Sequence, residues 1–286
     1  MADPSPTVLQ LELGKRLREL RDQRDLTIED VAKQLLCSTT KISRLETGTR
    51  RPNPRDVRDL CRLYDVGEPT TGKLMSLARE AREPVWWTKY EDINLDPYLG
   101  LEQDAVAITS YTTYYIPALL QTEEYTRAII HSIAPKMDSD IFKQRVEVRM
   151  RRQGVLEGDN RPRYRILLDE AVLQYVVGGP MIMAVQLERV LVAQHEGLAT
   201  IQVIPFDAGA FTAQESNFVL LEFGEKSLIS PVVFVEGLTS NQYIQRAPDV
   251  ARYREAIEYL RDAALTPRDS VKYIEEKRDS LAAKDG

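Results

Sequence analysis

Between residues 38 and 51 four positive side chains, Lys41, Arg44, Arg50 and Arg51, are accompanied by one acid, Glu46, in a chain of formal net charge −6. Thr39, Thr40 and Ser43 are interleaved with them. Short hydroxyls mixed with cations suit nucleic acid better than bond-making chemistry. An arginine can bond bidentately to a guanine edge, and a threonine can contact a thymine methyl. Hydroxyls and arginines also hold phosphate oxygens, and Thr27, Ser38, Ser43, Thr47, Arg50 and Arg51 form that set. Elsewhere, residues with catalytic potential are few. Asp169-Glu170 ends a predicted strand, where active sites occur but where a helix N-cap is the plainer role. Gly178-Gly179-Pro180 precedes a helix whose amides could hold an anion, although a strand-to-helix turn also explains it. His131 and His195 lie on predicted helices with no partner fixed by spacing, and no Walker, GxGxxG or GxSxG motif is present.

Two short helices must position the basic stretch. Thr27 has N-cap chemistry, and Asp30 three residues on adds a capping-box-like partner. Val31, Ala32 and Leu35 then give an apolar stripe, and Leu36 and Cys37 carry the turn. Ser38 caps a second helix over Thr39 to Glu46. Its Ile42 and Leu45 face a core, leaving Thr39, Thr40, Lys41, Ser43 and Arg44 outward. Gly48 ends it. An ordinary helical hairpin with a solvated face shares this pattern; a helix-turn-helix, with its second helix in the major groove, uses it. Residues 1–10 read as a disordered lead. A first helix covers about Leu11 to Arg24, a fourth about Pro54 to Tyr64, and a fifth about Thr71 to Arg82.

The 286 residues leave room for this module (11–83) and a larger domain (84–286). Residues 12–65 hold 13 Lys/Arg against 10 Asp/Glu, whereas residues 66–286 hold 25 against 33. Positive charge thus collects where phosphates would lie, and the acidic remainder has another task. No apolar run approaches the length of a membrane span, and the start MADPSPTVLQ lacks a signal-peptide pattern. A cytoplasmic, nucleoid-associated protein is expected. With two cysteines and two histidines in no clustered spacing, a zinc site is excluded and no metal or cofactor is expected. Cys37 and Cys61 read as small buried hydrophobes, with a redox sensor as the alternative.

Beyond residue 84 the texture changes. Trp86-Trp87 reads as a packing plug or a ligand cage. Residues 101–110 read as a helix. An aromatic stretch follows, with a turn at Pro117 and a helix capped by Thr122. A charged helix over about Ser139 to Leu156 carries Arg145, Arg149, Arg151 and Arg152, read as a solvated face or a second DNA contact. RYRILLD, ATIQVIPF, FVLLEFG and PVVFVEG read as strands, with a helix from about Pro180 to His195. Two helices, about Pro248 to Ala264 and Pro267 to Leu281, close the chain. The fold class is therefore a mainly α five-helix domain followed by an α+β domain with one small sheet. Trp86, Trp87, Tyr90, Tyr98, Tyr111, Tyr114, Tyr115 and Tyr125 exceed what two short helices need to bury. Trp86, Trp87, Tyr111, Tyr114, Tyr115, Gln121 and Tyr125 are the candidate partner or effector contacts.

Residues 13–66, through LRELR, LxxEDVA, KISRLETG and RRPNP, resemble the DNA-binding domain of the Xre/lambda-repressor family. The resemblance implies that Thr39, Thr40, Lys41 and Arg44 read bases and that Arg21 pairs with Glu46. Many members open the second helix with a phosphate-holding Gln; here Ile28 stands there. Residues 86–265, through WW, LExDA, IPALLQTEEYTR, LLDEAVL and VIPF, resemble the uncharacterised C-terminal domain of actinobacterial WhiJ-type regulators, with Ala118 where Gly is usual. That resemblance implies control by a small partner protein and transfers no chemistry. The expected function is a homodimeric DNA-binding regulator, not an enzyme. The alternative is a DNA-tethered enzyme or toxin-like effector using Asp169, Glu170 or the tyrosines.

Overall fold

The computed structural model describes residues 5–90, 96–209, 216–225 and 227–284. The chain divides into two units, Met1–Asp104 with Gly224–Ile229 and Ala105–Phe223 with Ser230–Gly286. The first contains α1 (Pro6–Asp22), α2 (Ile28–Gln34), α3 (Thr39–Glu46), α4 (Pro54–Leu63), α5 (Glu68–Glu80), a 3-10 turn at Trp86–Lys89 and α6 (Asp96–Asp104). Leu13, Leu17, Val31, Ile42, Leu45, Val57, Leu60 and Leu74 close one core beneath α1–α5.

The expected disordered lead is corrected in part. Helix α1 already begins at Pro6, because the Ser5 side chain accepts from the Val8 amide and proline fits the first helical turn. Residues 1–4 of that lead lie outside the described residues. The first unit also runs on past residue 83. The Ser5 amide donates to Asp104 Oδ2 at 2.6 Å, and a Cβ on Gly100 would fall 2.4 Å from Thr7 Cβ, so α6 packs closely on the start of α1. From far along the chain, Ser227 Oγ and the Leu228 amide donate to Glu12 Oε1, each at 3.0 Å. Lys15 Nζ donates to the Leu228 carbonyl at 2.7 Å.

The second unit contains β1 (Ala107–Thr112), α7 (Glu123–Ile133), α8 (Ser139–Arg152), β2 (Arg163–Asp169), α9 (Ala171–Gln174), α10 (Pro180–His195), β3 (Thr200–Ile204), β4 (Phe218–Glu222), β5 (Val232–Glu236), β6 (Asn241–Ile244), α11 (Ala247–Ala263) and α12 (Pro267–Ala282). The strands form one mixed sheet in the order β3-β2-β1-β4-β5-β6. Strands β1, β2 and β3 are mutually parallel; the remaining pairings are antiparallel. Tyr111, Leu167, Phe218, Leu220 and Val233 share a core with Val250, Ile257 and Leu260 of α11. The outer edge of β3 is capped: Val203 N donates to Ser270 Oγ (2.9 Å) and Ile201 N to Gln194 Oε1 (2.7 Å).

The α+β class stands, but two local expectations stand only in part. Residues 101–110 are not one helix: α6 stops at Asp104, and Ala107–Thr112 is a central strand with partners on both sides. Ile108, Thr109 and Thr112 are β-branched and favour that environment. The arginine-bearing helix α8 keeps a solvated face through Asp140, Lys143, Glu147 and Arg151, but its other three arginines are turned from it. Arg152 is buried and Arg145 and Arg149 are half-buried. Arg149 Nη1 donates to Gln121 Oε1 at 3.3 Å, and desolvation pulls its pKa down to about 10, helped by Arg152.

Candidate nucleic-acid interface

Helix α3 starts where Ser38 accepts the Lys41 amide at 3.2 Å. It ends in Gly48, whose φ of +65° lies in the left-handed region, with Leu11 where a Cβ would stand. Gln10 Nε2 donates to the Gly48 carbonyl at 2.5 Å and pins that turn to α1. Helix α2 opens with a full capping box between Thr27 and Asp30. Behind α3 the chain backbone itself makes contact. A Cβ on Gly14 of α1 would fall 2.6 Å from the Leu45 carbonyl oxygen and 2.7 Å from that of Glu46.

Arg21 fixes the angle further. Its Nε and Nη2 donate to Glu46 Oε1 and Oε2 at 2.7 and 3.0 Å, and its Nη1 donates to the Leu26 carbonyl at 2.7 Å. The Glu46 bond holds the guanidinium above its ordinary pKa, against the opposing effect of burial. Because Glu46 points inward, the open face of α3 carries no acid. Thr39, Thr40, Arg44 and Thr47 are exposed on it and Ser43 is half-buried.

Lys41 behaves differently from its neighbours. Its Nζ lies 2.7 Å from Asp56 Oδ1 of α4, so a DNA contact by this ammonium competes with an existing ion pair. Among the phosphate set, Arg50 and Arg51 are exposed just past the helix. Thr27 donates its hydroxyl to Asp30 Oδ2 at 2.6 Å, and Thr47 donates to the Ser43 carbonyl at 2.9 Å. The Thr27 bonds keep the Asp30 carboxyl below its usual range. Cys61 is buried, and burial raises its thiol pKa; Cys37 is half-buried, and both are free.

In the second unit most of the expected partner contacts are inside. Tyr111, Gln121 and Tyr125 are buried, as is Trp87 in the first unit, so none of these four stands on an open surface. The aromatic rings among them complete cores; Tyr111, for example, packs on Phe218. Trp86 is half-buried and stands edge-on to Trp87, with ring centroids 5.4 Å apart. Tyr114 and Tyr115 do reach a surface. They line a cavity of about 380 Å³ with Ala128, Ser132, Tyr175, Val176, Val177 and Gly178. Tyr175 and Val176 are exposed beside it. Tyr175 and Val176 gave no sequence signal, because a Tyr-Val-Val run before Gly-Gly reads as the end of a buried segment.

Comparison with known families follows this division. A family model described as a helix-turn-helix domain matches residues 12–74. A second, the domain of unknown function DUF5753, matches residues 95–276, well over half of the 286. The chain belongs to the DUF5753 family. No curated relative and no solved structure matches it.

Within the DUF5753 region, the segment Ile116–Arg127 is a polar knot. Gln121 Nε2 donates to the Ile116 carbonyl (2.6 Å), and Thr126 Oγ1 donates to Gln121 Oε1 (3.0 Å). Gln186 of α10 donates to the Leu120 carbonyl (2.8 Å) and accepts from Thr122 N (2.7 Å). These bonds satisfy the irregular turn that leads into α7, so its polar residues serve folding. The carboxylates Asp169 and Glu170 of the DUF5753 region are similarly engaged. Asp169 Oδ1 accepts from Ala171 N (2.9 Å), and Glu170 Oε2 accepts from Phe206 N (2.8 Å). Among the described residues no helix is long and apolar enough to cross a membrane.

Proposed function

We propose that this protein is a sequence-specific transcriptional regulator of the Xre/lambda-repressor type, working on nucleoid DNA as a homodimer. The observation that carries the reading is the inward Glu46. It leaves α3 with an acid-free face of Thr39, Thr40 and Arg44, continued by Arg50 and Arg51. One such helix covers too few base pairs for a specific operator, and two-fold pairing on half-sites about one turn apart supplies the rest. In this reading the DUF5753 region controls DNA binding, as in the WhiJ-type regulators, and carries no catalysis. The open cavity at Tyr114, Tyr115, Tyr175 and Val176 supports a docking place there for a small partner protein or effector. The engagement of Asp169 and Glu170 with backbone amides favours this over the enzyme alternative.

The test uses the full chain on a selected operator. Arg44→Ala loses about 1–3 kcal/mol on that operator and relaxes preference at one base pair. Arg51→Ala weakens all duplexes alike and lowers the salt slope. Wild-type binding by both variants would place the interface elsewhere. Turnover of a nucleotide or metabolite that disappears in Glu170→Gln would move the reading to the enzyme.

A further inference from the structure

A second feature of the sheet lies at the opposite end from Asp169 and Glu170. Arg163 and Arg165 alternate at the start of β2, so strand periodicity sends them to one face about 7 Å apart, and Arg161, two residues before the strand, lines the same groove. On that face the register places Ala107 of β1 beside Arg163, and Thr109 beside Arg165. Both β1 residues are small. Farther along the same face Tyr111 and Leu167 are large and lie in the core under α11. The change in side-chain size leaves an open groove of about 530 Å³, lined by the three arginines, Thr200, Glu222 and the Gly197–Ala199 turn. That volume lies within the usual range of small-molecule sites.

The charge in the groove is not balanced locally. Among the described residues, the carboxylates that act on Arg165 are Glu258 and Glu222. Each is already bonded to another arginine: Arg254 to Glu222 and Arg261 to Glu258, both at 2.6 Å. Among the described residues Arg161 donates to the Gly197 carbonyl, at 3.5 Å. Among the described residues no carboxylate lies within ion-pair distance of Arg163 or Arg165, and Arg165 is half-buried. Desolvation lowers the Arg165 pKa, with Arg261 acting in the same direction. In an acidic unit, three cations gathered in a concavity form a local positive field. Guanidinium forks match phosphate oxygens bidentately.

We propose that this groove binds a small molecule carrying two or more phosphoryl groups, held by Arg161, Arg163 and Arg165. The volume of the groove suits such a small molecule. The site is separate from the aromatic cavity, and its occupancy is read without DNA.

The experiment is calorimetric titration of the full chain with inorganic tripolyphosphate, and with ATP as a second probe. Wild type binds either probe saturably at one site per chain beyond any at the helix-turn-helix. Arg163→Gln with Arg165→Gln weakens that site at least tenfold, whereas Arg50→Gln with Arg51→Gln leaves it unchanged. Arg163→Gln alone alters an exposed side chain, leaves the fold intact and weakens the site severalfold. The proposal is overturned by an absence of saturable binding. Binding lost only in the Arg50/Arg51 variant overturns it too. Unchanged phosphate binding with weakened duplex binding in the Arg163/Arg165 variant would assign the groove to DNA instead.

Discussion

Leu36 shows how a single residue can oppose its surroundings. It sits in the turn between α2 and α3 with a φ of +50°, and it is 93% exposed. A leucine there carries left-handed backbone strain and buries almost nothing in return. Asp25 and Asp65 share the conformation, but aspartate tolerates it better. Leu36→Gly is therefore expected to raise stability by about 0.5–1 kcal/mol, after the greater entropy of glycine in the unfolded chain is subtracted. A urea midpoint that falls or stays fixed would contradict this. The Arg21–Glu46 pair lies at the other extreme. Both side chains are largely buried, so removing Glu46 leaves the Arg21 guanidinium with the exposed Asp22, 2.7 Å from its Nη1, as a weaker counter-charge. Glu46→Ala is expected to cost about 3–5 kcal/mol. A melting temperature like that of an exposed control, such as Glu29→Ala, would count against the pair.

At the scale of elements, the seat of α3 on α1 depends on the absence of a side chain at residue 14. Gly14→Ala pushes a methyl into two backbone oxygens, which cannot swing aside as a side chain can. The expected loss is about 1–3 kcal/mol, with operator affinity falling further because α3 is tilted. Gly72 is the matched control. It lies inside α5 with nothing within 4 Å of the place a methyl would take, so Gly72→Ala should gain about 0.5–1 kcal/mol. Equal shifts in the two variants would show that the close approach does not matter.

The same elements mark what a sequence can convey. Helices α2 and α3 were legible because capping residues, apolar spacing and Gly48 all agree locally. Strand β1 was not, because Leu-Glu-Gln-Asp before it is helical in character and pairing on both sides decides its conformation. Strand β6 was missed for the same non-local reason. The burial of Tyr111, Gln121 and Tyr125, and the ion pair of Lys41 with Asp56, depend on partners distant in sequence. The open face of Thr39, Thr40 and Arg44 required only helical periodicity.

For the whole molecule, the chain passes between its two units at 104/105, 223/224 and 229/230. The connection between β4 and β5 leaves the sheet's unit to bond α1 through Glu12 and Lys15. A fragment of residues 1–84 therefore lacks α6 and this strap. It is expected to show faster amide exchange along α1 than the full chain does; equal protection would mean that the strap adds nothing. Sedimentation of the full chain tests the homodimer, and a monomer that protects a palindrome with undiminished affinity would contradict two-fold pairing.

The strap also has a consequence for recombination. A reading head joined by one linker can be exchanged by a single crossover in its gene. Here a transplant that takes only residues 5–90 separates α1 from Gly100, Ser227 and Leu228, and each leaves a complementary surface behind. A chimera that preserves the unit needs residues 96–104 and 224–229 from the same parent as α1. Substitutions at Glu12 and Lys15 are accordingly coupled to a hexapeptide more than 200 residues away.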